Sequence, residues 1–251
     1  MPKQDHFWSK AAQSYETDFI DPYRADVSNP LPKALQALAS PRKSVADLGC
    51  GIGPLLPSLA ELFGVVYAVD FAEGMLERAR ARCAGLKNVT FLQRSLTDLS
   101  SLAGKLDVAV AVNSLVLPEI PNLEKALSQI HATLRPGGHL LAILPAMDAV
   151  HYYTMLLLDR ALAAGLPLAA ARQNAAEHGE HALYDFAFGQ FRYQGLEQHF
   201  WQPFEVRHRL RRAGFRKLRL ARVLLSWEQF ACGHDLQKQP PPWDWFVQAQ
   251  A

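Results

Sequence analysis

Val45-Ala46-Asp47-Leu48-Gly49-Cys50-Gly51-Ile52-Gly53 is the stretch on which the reading of this chain turns. Ser44 to Leu48 is a short apolar and β-branched run, the pattern of a strand buried on both faces of a parallel sheet. Glycine then recurs at every second position, and the apolar-periodic Leu55 to Phe63 reads as a helix. Strand, glycine turn, helix is the first unit of a nucleotide-binding α/β fold, with the ligand at the carboxyl end of the strand. Glycines there let backbone approach a ligand where any Cβ would clash. Pro54 suits the first turn of the helix, whereas Pro57 predicts an irregular start. The dinucleotide fingerprint G-x-G-x-x-G/A fails in both frames: its last slot holds Pro54 counted from Gly49, and Leu56 counted from Gly51.

Downstream, Gly64 to Asp70 reads as a second buried strand ending in a carboxylate, about 20 residues after the glycine turn, where such folds hold ribose hydroxyls. Asp70 could instead simply cap a helix from Ala72 to Ala84, but position and motif together favour the ribose role. Asn88 to Gln93 is a third strand, and the nearly continuous apolar run Leu106 to Asn113 a fourth. Leu123 to Leu134 is amphipathic, is stopped by Arg135-Pro136-Gly137-Gly138, and leads into a fifth strand, His139 to Leu144.

Composition bounds the class. The chain has 251 residues, 49% of them hydrophobic, enough for a full core in one domain. A formal net charge of +2 implies no polyanion partner by itself. Cys50, Cys83 and Cys232 are far apart, which argues against a disulfide framework or zinc cluster and suits a reducing cytosol. Met1 to Lys10 lacks the apolar run of a signal peptide, and no stretch approaches the roughly 20 apolar residues of a membrane span. A cytoplasmic location is the expectation.

Asp47-x-Gly49-x-Gly51-x-Gly53, Asp70, the end of the fourth strand and L-R-P-G-G-x-L-L occur in the order seen in class I S-adenosylmethionine-dependent methyltransferases. The chain resembles that family, in its small-molecule, ubiquinone/menaquinone-biosynthesis-like branch, over about Phe7 to Pro145. The likeness resumes with a helix Pro203 to Arg212, a strand Phe215 to Val223 and a last strand at Trp243 to Val247. It implies an α/β, doubly wound Rossmann-like sheet of seven mostly parallel strands with an antiparallel last strand. A helical insertion after the fifth strand, residues 145–200, would cover the acceptor as a mobile lid within the single domain 1–251.

The resemblance implies S-adenosyl-L-methionine as cofactor, leaving S-adenosyl-L-homocysteine. It assigns cofactor contact to Asp47, Gly49, Cys50, Gly51 and Gly53 in the turn, to Asp70, Phe71 and Met75 after the second strand, and to Asn113 and Ser114 after the fourth. Phe7-Trp8-Ser9-Lys10-Ala11-Ala12-Gln13-Ser14-Tyr15 is similar to the W-x-x-x-A-x-x-Y opening of many relatives, in which the tyrosine, here Tyr15, covers the cofactor. The family often has an acid after the third strand to bind the adenine amino group. Here Ser95, then Leu96, stand in its place, and Asp98 can equally be a helix cap.

The fourth strand ends in Asn113-Ser114-Leu115-Val116, not the N/D-P-P-Y/F/W of nucleic-acid N-methyltransferases, and no Pro-Cys pair of the cytosine-C5 type occurs. A small-molecule acceptor is therefore favoured over DNA, and over RNA or protein. The alternatives left are RNA or protein methylation, supported by the basic run Arg207 to Arg222, and a methyltransferase-like protein that binds without catalysing. Such a run is more often a solvated face. The insertion carries aromatics from Tyr184 to Trp201 and four histidines. His151, Tyr152 and Tyr153, just after the fifth strand, are the candidate proton acceptors. His178-x-x-His181 lacks the neighbours of a metal site, and none is assigned. Oligomeric state, and the element methylated, are left open.

Overall fold

The computed structural model describes residues 2–13, 20–193, 195–230 and 233–251, so Tyr15 lies outside the described residues. Strand β1 (Ser40–Leu48) is followed by β2 (Phe63–Asp70), β3 (Val89–Gln93), β4 (Leu106–Val112) and β5 (Leu134–Pro145). Late in the chain come β9 (Arg216–Leu224) and β10 (Trp243–Gln250). These seven form one sheet in the order β3-β2-β1-β4-β5-β10-β9. Pairing is parallel from β3 to β5, and β10 is antiparallel to both β5 and β9.

Helices cover both faces because the central strands are apolar on both sides. Ala46, Ala109, Ala111, Leu140 and Ala142 pack with α5 (Ile120–Thr133) and α8 (Pro203–Arg212). Their neighbours Val45, Val108, Val110, Leu141 and Ile143 pack on the other face, with α2 (Leu31–Leu38), α3 (Leu56–Leu62) and α4 (Glu73–Arg82). The predicted irregularity at Pro57 does not occur. The helix begins at Leu56, which puts Pro57 within its first turn, where the missing N–H costs nothing. The fifth strand begins at Leu134 and not at His139, with Arg135 to Gly138 inside it as an irregularity: Leu106 pairs Leu134, but Val108 pairs His139.

The insertion is not purely helical. It contains α6 (Met147–Ala163) and α7 (Leu168–His178), then a separate three-stranded antiparallel sheet of β6 (Tyr184–Asp185), β7 (Gln190–Tyr193) and β8 (Leu196–His199). Its polar, turn-rich second half makes hairpins that the sequence pattern did not announce. Its return is stitched to the sheet. Trp201 is fully buried, its indole donates to Leu115 O at 2.8 Å, and its N–H donates to Pro145 O at 2.8 Å. His199 N donates to Val116 O at 2.9 Å.

Candidate cofactor site

The glycine turn is held by two bonds to one carbonyl: the N–H groups of Gly49 and Cys50 donate to Val69 O at 2.7 and 2.9 Å. Gly49 has φ 78°, and a Cβ there would lie 2.3 Å from Ser114 Cβ, so the turn can pack on the post-β4 loop only with glycine. Ser114 Oγ donates to Leu48 O at 2.5 Å and fixes that packing. Gly51 has φ 53° and meets nothing within 4 Å: its missing side chain faces open space. Asp70 closes the arrangement, accepting from Gly51 N and Ala72 N, both at 2.9 Å. Ordering the loop at the start of α4 and facing the cleft are thus compatible roles. A carboxylate has about four lone-pair sites, so capacity is left for ligand hydroxyls.

Above this floor opens a cleft of about 140 Å³. Gly49, Gly51, Asp70, Phe71, Met75, Ser95, Leu96, Asn113 and Ser114 all line it. Three other members of the turn do not. Asp47 is 3% exposed beneath it, where burial and then the neighbouring Asp70 charge push its carboxyl up to about 7. Cys50 turns into the core with Leu55 and Leu76. Gly53 makes room for packing, since a Cβ would lie 2.8 Å from Leu56 and 3.0 Å from Ala79. Ser95 exchanges a hydrogen bond with Thr97 Oγ1 at 2.9 Å, and Asp98 accepts from Ser100 Oγ as a local cap.

The cleft has walls that the sequence reading did not name as site residues. Gln4 and Trp8 reach it from α1 (Pro2–Ala11), Arg94 from the end of β3, and Glu197 and Gln198 from the insertion's small sheet. Across the mouth, Gln4 Nε2 donates to Glu197 O at 3.3 Å. Only Trp8 had a signal, in the W-x-x-x-A spacing; the others are isolated polar residues brought in by tertiary structure.

His151, Tyr152 and Tyr153 do not line the cleft. His151 stacks on Phe186 with centroids 5.0 Å apart. Tyr152 OH donates to Pro240 O at 3.0 Å, while Tyr153 packs on Trp227 and Phe230. The insertion's aromatics pack mainly on one another: Tyr184 contacts Phe186, Phe191 and Phe200, and burial pushes its phenol up to about 12. None of the aromatics from Tyr184 to Trp201 lines the cleft. His178 and His181 are engaged separately, by Asn174 O and Thr154 Oγ1, each at 2.8 Å. The basic run also lies away from the cleft. Arg209 pairs with Glu205 and Glu124, and Arg222 lies 3.8 Å over the Trp243 ring.

Comparison with known proteins sets this geometry beside methyltransferases. Residues 45–138 match the family model described as "Methyltransferase domain". The chain is 36% identical over 97 residues to demethylmenaquinone methyltransferase of Clavibacter sepedonicus, covering 39% of each chain. It is 34% identical over 116 residues to trans-aconitate 2-methyltransferase of Deinococcus radiodurans, covering 45% of this chain and 42% of that one. The chain thus spans about two-fifths of the length of these curated relatives. Among solved structures, an S-adenosylmethionine-dependent methyltransferase from Mesorhizobium loti superposes with TM-score 0.61 at 20% identity, covering 87% of this chain and 96% of that one. The DhpI–SAH complex superposes with TM-score 0.58 at 18% identity, covering 99% and 95%. Residues 45–138 thus match a methyltransferase domain, and the sheet order, glycine turn and cleft are those of the fold that these solved methyltransferases share.

Proposed function

We propose that the protein binds S-adenosylmethionine in this cleft and transfers its methyl group to a small-molecule acceptor. The observation that carries the reading is the convergence on one cleft of the open Gly51 backbone, the Asp70 carboxylate and the Asn113 side-chain oxygen, which is without a partner among the described residues. When bound, the cofactor supplies an electrophilic methyl group on a sulfonium. Asp70 accepts from the ribose hydroxyls, Phe71 and Met75 flank the adenine with apolar surface, and Ser95 and Leu96 offer polar groups to its edge. The glycine turn and the post-β4 loop hold the amino-acid part. Insertion 145–200 forms the acceptor-facing wall through Glu197 and Gln198, fixed at its root by Trp201.

Alignment of donor and acceptor is the main catalytic contribution, on the order of 7–11 kcal/mol for a near-attack geometry. A general base adds about two to four decades, and only where the nucleophile must lose a proton. His151, Tyr152 and Tyr153 are engaged elsewhere, so we assign the reaction no base from among them. The quinone- and carboxylate-methylating names among the relatives support an oxygen- or carbon-nucleophile of metabolite size. No helix among the described residues is long and apolar enough to cross a membrane, and we place the activity in the cytoplasm.

Calorimetry tests the reading: S-adenosylhomocysteine should bind and NAD should not. Turnover against a metabolite panel should then yield S-adenosylhomocysteine. Binding of NAD alone overturns the cofactor assignment. Salt-sensitive RNA binding with methyl transfer to RNA would instead favour a nucleic-acid acceptor.

A further inference from the structure

Helix α8 sorts its side chains by chemistry. Val206 and Leu210 are buried in the core. Glu205, the helix's acid, is turned inward, bonding His199 Nε2 at 3.0 Å and accepting from Arg209 Nε at 2.6 Å. What remains outside is a stripe at helical spacing: Phe204, Arg207, His208 and Arg211 recur at i, i+3, i+4 and i+7, all exposed. They line one shallow surface depression together with Arg212. Arg212 pairs with Glu124 at 3.2 Å, whereas Arg207 and Arg211 enter no ion pair among the described residues. The stripe thus presents two uncompensated guanidinium groups and no acid.

Phe204 is 72% exposed, and only one other large apolar side chain among the described residues matches it: Phe188, also 72%. The chain brings the two to one end of the insertion. Phe188 sits in the β6–β7 turn, where its N–H and that of Ala187 donate to Asp185 Oδ1. The next residue, Gly189, accepts from Phe200 N at 2.7 Å, and Phe204 follows four residues later. Chain reach then keeps the Cα atoms of Phe188 and Phe204 within roughly 25 Å of each other. A single exposed apolar residue needs no explanation, but two protruding rings beside unpaired arginines match the chemistry of one surface. Anionic headgroups receive guanidinium groups, and rings enter the headgroup and acyl boundary without any shaped pocket. A protein partner takes aromatic anchors into pockets, and single-stranded nucleic acid follows a cationic groove. A turn and a shallow depression suit the bilayer better than either.

We propose that this face, Phe188 with the stripe from Phe204 to Arg211, docks the protein reversibly on an anionic phospholipid bilayer. Arg207 and Arg211 meet the lipid phosphates, and the two rings enter the interface. Docking of this kind goes beyond the methyltransferase reading and does not depend on it. No segment crosses the membrane in this role, so the contact is peripheral and sensitive to salt.

Vesicle sedimentation of the full chain tests the proposal, with phosphatidylcholine vesicles set against an equal mixture of phosphatidylcholine and phosphatidylglycerol. Wild-type protein should pellet with the mixed vesicles and far less with the neutral ones, and binding should weaken as salt is raised. Arg207→Glu combined with Arg211→Glu should weaken partitioning onto the mixed vesicles at least about tenfold. Phe188→Ser combined with Phe204→Ser should weaken it too, and that loss should persist at high salt, where the charge contribution is screened. Circular dichroism and thermal melting verify that each variant folds. If the charge reversal does not fold, Arg207→Gln with Arg211→Gln should give a smaller loss in the same direction. Wild-type protein that ignores the mixed vesicles, or binds both kinds equally, overturns the proposal, as do folded variants that bind like wild type. Binding of polyuridylate or polyglutamate without vesicle binding overturns it in favour of a nucleic-acid or protein surface.

Discussion

Asp70 shows how one side chain can satisfy both the fold and a ligand. Its oxygens take the N–H groups of Gly51 and Ala72, so it shapes the loop even as it lines the cleft. Asp70→Ala is therefore expected to weaken S-adenosylhomocysteine binding at least about tenfold and to cost about 1–3 kcal/mol of stability through the two freed donors. Titration calorimetry and urea denaturation measure the two effects separately; affinity within about twofold of wild type would reduce Asp70 to a loop-shaping role. Residues of this kind were legible because a glycine turn and a strand-terminal carboxylate leave a fixed spacing in sequence. Cys50 and Gly53 share the motif yet face the core, Cys50 beside Leu55 and Leu76 and Gly53 against Leu56 and Ala79. Glu197 and Gln4 had no such signature: nothing local distinguishes a polar residue that tertiary structure carries to a cleft from one left in solvent.

At the scale of elements, the central strands were legible because strands buried on both faces read as apolar runs. The start of β5 was not, because Arg135-Pro136-Gly137-Gly138 looks like a terminator and is instead a bulge between paired segments. The two helices after β5 were legible, but the small antiparallel sheet that follows them was missed, because β6 has two residues and β7 and β8 four each, too short for periodicity to register. The expectation of a mobile lid meets an anchored root. Trp201 joins the insertion's return to both β5 and the post-β4 loop. Trp201→Phe keeps much of the packing but removes the donor to Leu115 O, leaving a buried carbonyl short of one bond, a loss of about 1–3 kcal/mol. Trp201→Ala should cost about 3–5 kcal/mol through the cavity it opens. Chemical denaturation of both variants checks the order. A Trp201→Ala protein as stable as wild type would mean that the root carries no load.

Over the whole molecule, two buried carboxyls set an unusual dependence on pH. Asp47 and Asp244 are both pushed up to about 7, chiefly by burial. In the unfolded chain they ionise near the ordinary aspartate value, so between about pH 4 and 7 the folded state binds more protons. Their contribution to stability is present below the unfolded value and is lost as pH rises through 7. Asp107 works the other way: against its burial, Ser44 and Arg135 hold it low. Glu205 does the same, held low against its burial by His199 and Arg209, so both lose stability in acid. The ligand-free protein should accordingly melt higher near pH 5.5 than at pH 8. Asp47→Asn should raise the melting temperature at both pH values and more at pH 8, the extra gain there over pH 5.5 being on the order of 2 kcal/mol. Thermal scans at the two pH values check the sign, and an equal shift at both would exclude ionisation as the cause.

The sheet also has an outer boundary at β9, whose outer side makes, among the described residues, only the bridge from Leu224 to Ser28. Open backbone along a terminal strand invites another chain to continue the ladder. Arg216, Lys217, Arg219 and Arg222 are exposed along that strand, and a second copy laid edge to edge would bring like charges together. The part of the basic run that lies on β9 thus disfavours a ladder between the edges of two copies.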